Sequence, residues 1–169
     1  MVQDFIQKSG SHYANFYLND RQAMARQLRE LATLQDGKKV LLIGVTFALL
    51  DWAESSDDRG FLADLPALIV METGGMKGRR KELLREEVHE ILKHRLGVGT
   101  IHSEYGMTEL LSQAYSQGDG LFRSGYSMRI IIRDPNDPFT LYASDVLDQT
   151  GGINVVDLAN IDSCAFIET

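Results

Sequence analysis

The feature that most constrains the fold is a pair of short apolar runs, each followed by a segment with helical character. Residues 39–43 (KVLLI) and 67–70 (ALIV) have the length and composition of buried strands. The first run precedes VTFALLDWAE at 45–54, and the second precedes an amphipathic segment at 79–95; both segments favour helices. This alternation predicts an α/β fold with a largely parallel sheet flanked by helices.

Three further elements extend the alternation. A helix is predicted to end near residue 34, with Asn19 or Asp20 as its N-cap, because both side chains can accept a hydrogen bond from a free backbone N–H. A third strand is predicted at 100–103 and another helix at 107–116. The first two thirds of the chain therefore read as one repeating strand-helix pattern.

The pattern changes after Gly118. Runs typical of strands then follow one another without helices between them, separated by Gly, Pro, Asn and Asp residues that favour turns. These runs are 128–133 (MRIIIR), 140–143 and 153–158. We expect this last third to form a more antiparallel sheet. Because no segment has a linker's composition, residues 1–169 are expected to form a single α/β body.

Composition excludes several classes of protein. A formal net charge of −7 argues against a nucleic-acid partner, which requires a basic surface. No apolar run approaches the roughly 20 residues of a membrane span, and the first residues lack the pattern of a signal peptide. The single cysteine, Cys164, permits no internal disulfide, so a cytoplasmic location is expected.

Two glycine-bearing loops follow predicted strands. They are ETGGMKG at 72–78 and EYGMTE at 104–109. Both are expected at the carboxyl ends of strands, and that edge of an open α/β sheet is where ligands bind.

The first loop has two interpretations. Gly74 and Gly75 allow backbone to approach a flat ligand or a phosphate, the predicted helix start after them offers free N–H groups, and Lys77 could meet an anion. Alternatively, the loop is only a strand-to-helix turn with Lys77 in solvent. It is not a Walker A loop, because the GxxxxGK[ST] spacing is absent.

The second loop also has two interpretations. Tyr105 could stack on a base, Gly106 permits a turn, and Thr108 at a helix start could bind a phosphate. Glu109 is a hard oxygen ligand suited to Mg²⁺. Alternatively, Thr108 is a helix N-cap and Glu109 is merely favourable in a first helical turn.

The histidines give weaker signals. His89 and His94 lie five residues apart on a charged helix, so they are expected to be solvated rather than metal ligands. His102 and Glu104 could share one face of a strand, but two ligands make a poor metal site.

Three other residues lie in apolar stretches of the sequence, which predict burial rather than a functional role. Cys164 lies in an apolar run (CAFI), which predicts a buried, inert thiol. Trp52 and Phe47 lie in the apolar helix after Gly44 and are expected in the core.

Taken together, the motifs resemble a known family. YGMTE at 105–109 resembles the YGxTE signature of the adenylate-forming, acyl-activating superfamily. The stretches at 44–54, 72–83 and 150–169 (GVTFALLDWAE, ETGGMKGRRKEL and TGGINVVDLANIDSCAFIET) are similar to the acyl-protein synthetase branch, the fatty-acid-activating subunit of luciferase-type fatty acid reductases. The similarity covers nearly the whole chain.

The resemblance implies an AMP-forming ligase. Such enzymes condense a carboxylic acid, here a fatty acid, with Mg²⁺-ATP to an acyl-adenylate and then transfer the acyl group to a thiol. The acceptor would be a protein thiol, or coenzyme A if the chain is closer to phenylacetate-CoA ligases. A reductase subunit is a further implied partner.

The resemblance also implies roles for individual residues. Tyr105 would pack against adenine, Thr108 would contact the α-phosphate, and Glu109 would bind Mg²⁺. Thr108 and Glu109 would thus be the catalytic residues. The remaining nucleotide-binding positions would be Gly74, Gly75, Met76, Gly106 and Met107, and the acyl pocket would include Gly44, Thr46 and Phe47.

Several family features have no counterpart in residues 1–169. These are the Ser/Thr/Gly-rich phosphate loop, the aspartate that grips the ribose hydroxyls, and the C-terminal subdomain with its lysine. We therefore expect a piece of a longer enzyme, with no significant ligase activity by itself. Robust acid-dependent ATP–pyrophosphate exchange by the purified chain would contradict this expectation. The alternative is a non-catalytic nucleotide-binding, acyl-binding or interaction module.

Overall fold

The computed structural model describes residues 1–18, 20–34, 37–55, 59–65, 67–142, 148–160 and the backbone of 165–168. The helices are α1 (Val2–Ser9), α2 (Arg21–Leu34), α3 (Thr46–Glu54) and α4 (Arg85–Leu96), with a 3₁₀ turn at Gly60–Asp64. The strands are β1 (Val40–Val45), β2 (Leu68–Thr73), β3 (Ile101–Tyr105), β4 (Ala114–Ser116), β5 (Phe122–Ser124), β6 (Met128–Arg133), β7 (Gly152–Asp157) and β8 (Ala165–Glu168).

The strands form two sheets. The five-stranded sheet has the order β1-β2-β3-β4-β5, in which the first three strands are parallel and the last two are antiparallel. Strands β6, β7 and β8 form a three-stranded antiparallel sheet. The predicted α/β class, with a parallel beginning and an antiparallel C-terminal part, is confirmed.

The main core lies between the five-stranded sheet and helices α2, α3 and α4. Helices α3 and α4 pack against each other, and Leu50 and Leu92 are fully buried. Val70 and Ile101 face them from β2 and β3. Trp52, predicted as a core residue, is 2% exposed, which confirms that prediction. A smaller cluster connects the second sheet to the segment after β3; its buried members are Leu110, Ala114, Met128 and Val155.

Helix α2 begins as predicted. The Asp20 carboxylate accepts a 2.8 Å hydrogen bond from the Ala23 backbone N–H, which is the arrangement of an N-cap. Asn19, the alternative cap, lies outside the described residues.

The helix predicted at 79–95 begins only at Arg85. Arg80 binds Asp51 and Glu54 of α3, so the residues just before α4 are held against α3. The Glu87 carboxylate then accepts a 2.8 Å hydrogen bond from the Leu84 backbone N–H, which satisfies a free donor at the helix start. The prediction was therefore wrong for 79–84, where side-chain contacts outweigh the helical charge pattern.

The helix predicted at 107–116 is absent, and residues 114–116 form β4 instead. The reason is tertiary: the backbone N–H groups of Leu111 and Ser112 both donate to the Asp157 carboxylate at the end of β7, at 2.8 Å each. Ala114 then pairs with Tyr105 of β3. These partners lie outside residues 107–116, so the helical pattern within that segment could not predict them.

Other differences are smaller. The helix α1 and the strands β5 and β8 were not predicted. Of the strand predicted at 140–143, Leu141 forms an isolated bridge with Arg133, and residue 143 lies outside the described part. Among the described helices, none combines the length and apolar character that crossing a bilayer requires.

Candidate functional site

The two glycine-bearing loops leave the same edge of the five-stranded sheet. Strand β2 ends at Thr73 and β3 ends at Tyr105, and the two strands are parallel neighbours. Thr73 lies opposite Glu104, and its hydroxyl donates a hydrogen bond to the Glu104 carboxylate. The expectation that both loops follow strands at one edge is thus confirmed.

The first loop exposes backbone and is anchored by one buried side chain. Gly74 and Gly75 have φ angles of 77° and 23° and are exposed, so the chain turns here through a conformation that favours glycine. Met76 is 2% exposed and belongs to the main core. Lys77 is exposed, and its side chain folds back beside Gly74.

The second loop carries one half-buried ring and two exposed polar residues. The ring of Tyr105 meets that of Phe122 in a tilted contact, with centroids 6.3 Å apart and 72° between the planes. Thr108 and Glu109 are exposed, and the Glu109 carbonyl accepts a 2.9 Å hydrogen bond from the Asn160 side-chain amide. Gly106 is exposed and Met107 is half-buried, against the smaller cluster.

Neither loop opens directly into a helix, which corrects the sequence interpretation of both. After the first loop, α4 begins only at Arg85; after the second, the chain continues to β4. Thr108 is therefore not an N-cap, and no helix dipole supports an anion beside it. Backbone N–H groups of a helix start are likewise not provided immediately after Gly75.

The residues assigned to an acyl pocket lie where β1 passes into α3. Gly44 is close to Leu49, since a Cβ atom there would lie 3.0 Å from the Leu49 side chain. Thr46 is 3% exposed and donates its hydroxyl to the Glu72 carboxylate at 2.6 Å. Phe47 is half-buried, with the Arg79 guanidinium 5.1 Å from its ring centroid.

A buried polar cluster, which the sequence analysis missed, lies just beneath this edge. Its centre is Glu72, whose side chain is 7% exposed. His89 Nε2 lies 3.7 Å from one carboxylate oxygen of Glu72 and 3.1 Å from the Ser103 hydroxyl. Arg85 Nε lies 3.6 Å from the same carboxylate oxygen, and Thr46 binds the other.

The environment keeps Glu72 ionised. Burial acts to raise the pKa of its carboxyl, but the polar contacts with His89, Ser103 and Thr46 and the charge of Arg85 outweigh burial and hold the pKa at about 2, against an ordinary 4.5. A buried carboxylate with this many donors links β2, β3, α3 and α4 at one point.

The position of His89 corrects a prediction. It was expected to be solvated but is 6% exposed, whereas His94 is exposed as predicted. A signal was present: positions 89, 92 and 96 share one helical face, and Leu92 and Leu96 are buried. Likewise, strand alternation places Glu72 on the same face as the buried Val70.

The acidic and histidine residues differ in how well they suit a metal ion. His102 and Glu104 do alternate onto one face of β3, but within the described part of the chain no group of three or more such ligands comes together. The exposed carboxylate of Glu109 is a different case, because Mg²⁺ needs only one or two protein carboxylates when phosphate oxygens supply other ligands. Its donor chemistry fits Mg²⁺ held jointly with a nucleotide. Cys164 lies outside the described residues.

Two cavities lie away from the loops. One of about 480 Å³ lies between the ends of α3 and α4, and one of about 190 Å³ lies against α4 and includes Arg85 and His89. Of the described residues, none from either glycine-bearing loop lines them. These two cavities are therefore separate from the candidate site at the two loops.

Comparison with known proteins adds no assignment. No protein-family model matches the chain, and no curated protein matches it with significance. The link to acyl-activating enzymes is thus the resemblance of the quoted motifs.

Proposed function

We propose that this chain carries the adenine- and magnesium-binding part of an AMP-forming acyl-activating enzyme. The overall reaction joins a carboxylic acid, which the resemblance to acyl-protein synthetases suggests is a fatty acid, to the α-phosphate of ATP, releasing pyrophosphate. The acyl group then passes to a thiol. The acceptor proposed is a protein thiol, with coenzyme A as the alternative.

One observation carries the proposal: the two motif loops follow adjacent parallel strands whose ends are paired. Thr73 precedes Gly74 directly, Glu104 precedes Tyr105 directly, and Thr73 and Glu104 are partners in the sheet. An adenine between the backbone of the first loop and the ring of Tyr105 needs this adjacency. It also matches the place where ligands bind open α/β sheets.

Each of these loop groups has a role that its chemistry suits. The backbone at Gly74 and Gly75 can approach a flat base closely because no side chain intervenes. Tyr105 offers a ring for stacking, the Thr108 hydroxyl can donate to a phosphate oxygen, and Glu109 can hold Mg²⁺. Magnesium would supply positive charge at the phosphates; the chain would supply positioning.

No helix follows Thr108 in the described segment up to β4, and this limits how strongly the second loop can bind a phosphate. Without a helix terminus, the hydroxyl of Thr108 and nearby loop N–H groups must bind the phosphate without dipole support. Further cationic or N–H donors are then required for binding of the phosphates.

The test is calorimetric titration of the chain with a non-hydrolysable acyl-AMP analogue, with and without Mg²⁺. Tyr105→Ala removes the stacking ring and Glu109→Ala removes the carboxylate. Tyr126→Ala and Glu90→Ala are matched controls, because both residues are exposed and lie outside the two loops.

We expect Tyr105→Ala to weaken binding about 5- to 150-fold, the range for one base stacked on an aromatic ring. Glu109→Ala should abolish the dependence of affinity on Mg²⁺, and the two controls should bind as the unmodified chain does. Absence of binding, or binding that both loop variants leave unchanged, would refute the proposal.

A further inference from the structure

We propose that Phe122 and Arg85 are positioning residues that fix the ring of Tyr105 for stacking on a flat base. This inference rests on the proposed function, in which Tyr105 packs against adenine. Neither residue belongs to the motif loops: Phe122 begins β5, and Arg85 begins α4.

The sheet brings Phe122 to Tyr105. Strand β4 pairs with β3 on one side and with β5 on the other, with Tyr105 opposite Ala114 and Phe122 opposite Ser116. The two rings therefore approach across β4, with 6.3 Å between centroids and 72° between planes. An edge-to-face contact of this kind favours one relative orientation of the two rings.

Arg85 holds Phe122 from the helix side. Its guanidinium carbon lies 4.8 Å from the Phe122 ring centroid, within the range of a cation–π contact. Its Nε lies 3.6 Å from Glu72, whose carboxylate stays ionised. Arg85 is 44% exposed, so these two contacts rather than burial determine where its side chain lies.

The contacts form one continuous series from the buried cluster to the candidate base-binding ring: Glu72, Arg85, Phe122, Tyr105. A ring already held in one orientation loses less conformational freedom when a base stacks on it, so a restrained Tyr105 binds more tightly. Loss of Arg85 or Phe122 should therefore weaken stacking although neither residue touches the base.

The experiment combines ring spectroscopy with binding. Tyrosine labelled with ¹³C in its ring is incorporated, and Tyr105→Phe identifies the Tyr105 signals by their loss. Spectra and titrations with the acyl-AMP analogue are recorded for Phe122→Leu, Arg85→Met and Arg85→Lys. Arg123→Met is the matched control, because Arg123 is an exposed neighbour in β5 that points to the other face.

We expect Phe122→Leu and Arg85→Met to shift or broaden the Tyr105 ring signals and to weaken analogue binding about 2- to 10-fold, as loss of one aromatic contact implies. Arg85→Lys should restore part of both, because a cation returns, and Arg123→Met should alter neither. If Arg85→Met and Arg85→Lys unfold at similar temperatures, any difference between them in ring signals and binding reflects the position of the ring and not the stability of the fold.

Unchanged Tyr105 signals in both Phe122→Leu and Arg85→Met would overturn the inference, whatever the binding data. Changed signals with unchanged affinity would overturn it as well, because the ring would then need no fixing. Changed signals in a chain that binds no analogue at all would support the coupling of the rings and refute the proposed function instead.

Discussion

Thr46 donates its hydroxyl to Glu72 across 2.6 Å, and this bond joins the start of α3 to the end of β2. Both residues are buried, Thr46 at 3% and Glu72 at 6% exposure. The bond therefore connects the segment proposed for an acyl pocket with the first glycine-bearing loop, which is proposed to contact adenine. Buried bonds to a charged acceptor are among the stronger ones in proteins.

Thr46→Val should destabilise the chain by about 1–3 kcal/mol, because the buried carboxylate loses a donor that no solvent replaces. Thr46→Ser keeps the hydroxyl and should recover most of this loss. Urea unfolding of the three proteins measures the difference. Equal stability of Thr46→Val and the unmodified chain would mean that the bond contributes nothing net.

The stability of the chain should fall on acidification in a way that depends on Glu72. Its pKa is lowered to about 2 in the folded state from an ordinary 4.5, so the ionised carboxylate stabilises the fold above about pH 4.5. That contribution, on the order of 3 kcal/mol at about 1.4 kcal/mol per pKa unit, is lost as the pH falls from about 5 towards 2.

Glu72→Gln isolates this effect, because glutamine does not titrate. The variant should be less stable at pH 7 and should lose less stability than the unmodified chain between pH 5 and pH 2.5. Glu86→Gln, an exposed position on α4, is the control. Parallel stability–pH curves for Glu72→Gln and the unmodified chain would contradict the assignment.

Local sequence patterns predicted the elements that are stabilised by nearby residues or by burial of their own apolar side chains. The short runs that form β1 and β2 are apolar in composition, which is enough to predict their burial. Asp20 caps α2 by accepting a hydrogen bond from a residue three positions away. The position of the two loops then followed from strand polarity. These parts of the fold depend on few distant contacts.

The failures have a common physical cause, which is long-range polar pairing. Residues 107–116 have helical spacing, yet Asp157, more than forty residues away, takes the N–H groups of Leu111 and Ser112. The charged neighbours of His89 predict a solvated side chain, yet its partner Ser103 lies on another element. A single sequence reports a residue's neighbours along the chain and not its partners in space.

Asp157→Asn should be strongly destabilising, because both oxygens of this fully buried carboxylate accept hydrogen bonds. One accepts from the Leu111 and Ser112 N–H groups, and the other accepts from the Ser112 hydroxyl and the Ala159 N–H. Burial favours a higher pKa of Asp157, but these bonds outweigh it and lower the pKa.

An asparagine at position 157 must turn its NH₂ group towards one pair of donors, so at least one pair loses its acceptor. We expect a loss of about 2–3 kcal/mol in the free energy of unfolding. Asp119→Asn is the control: Asp119 is exposed with a φ of 56°, a conformation that asparagine tolerates. If both substitutions lower the free energy of unfolding by similar amounts, the buried hydrogen bonds of Asp157 do not contribute the stability proposed for them.

Gly74→Ala tests whether the first loop needs its left-handed backbone. Gly74 has a φ of 77°, and an added Cβ would meet only Lys77 and Val45 at ordinary contact distances of 3.5 Å and 3.9 Å. The free energy of unfolding should therefore fall through backbone strain, by about 1–2 kcal/mol, rather than through a clash.

Gly99→Ala is the matched control, because Gly99 has no positive φ and no atom within 4 Å of an added Cβ. This substitution should leave stability unchanged or slightly raised. Thermal unfolding of both variants measures the contrast. If Gly74→Ala proves as stable as Gly99→Ala, the loop does not require the conformation that brings its backbone to the edge of the sheet.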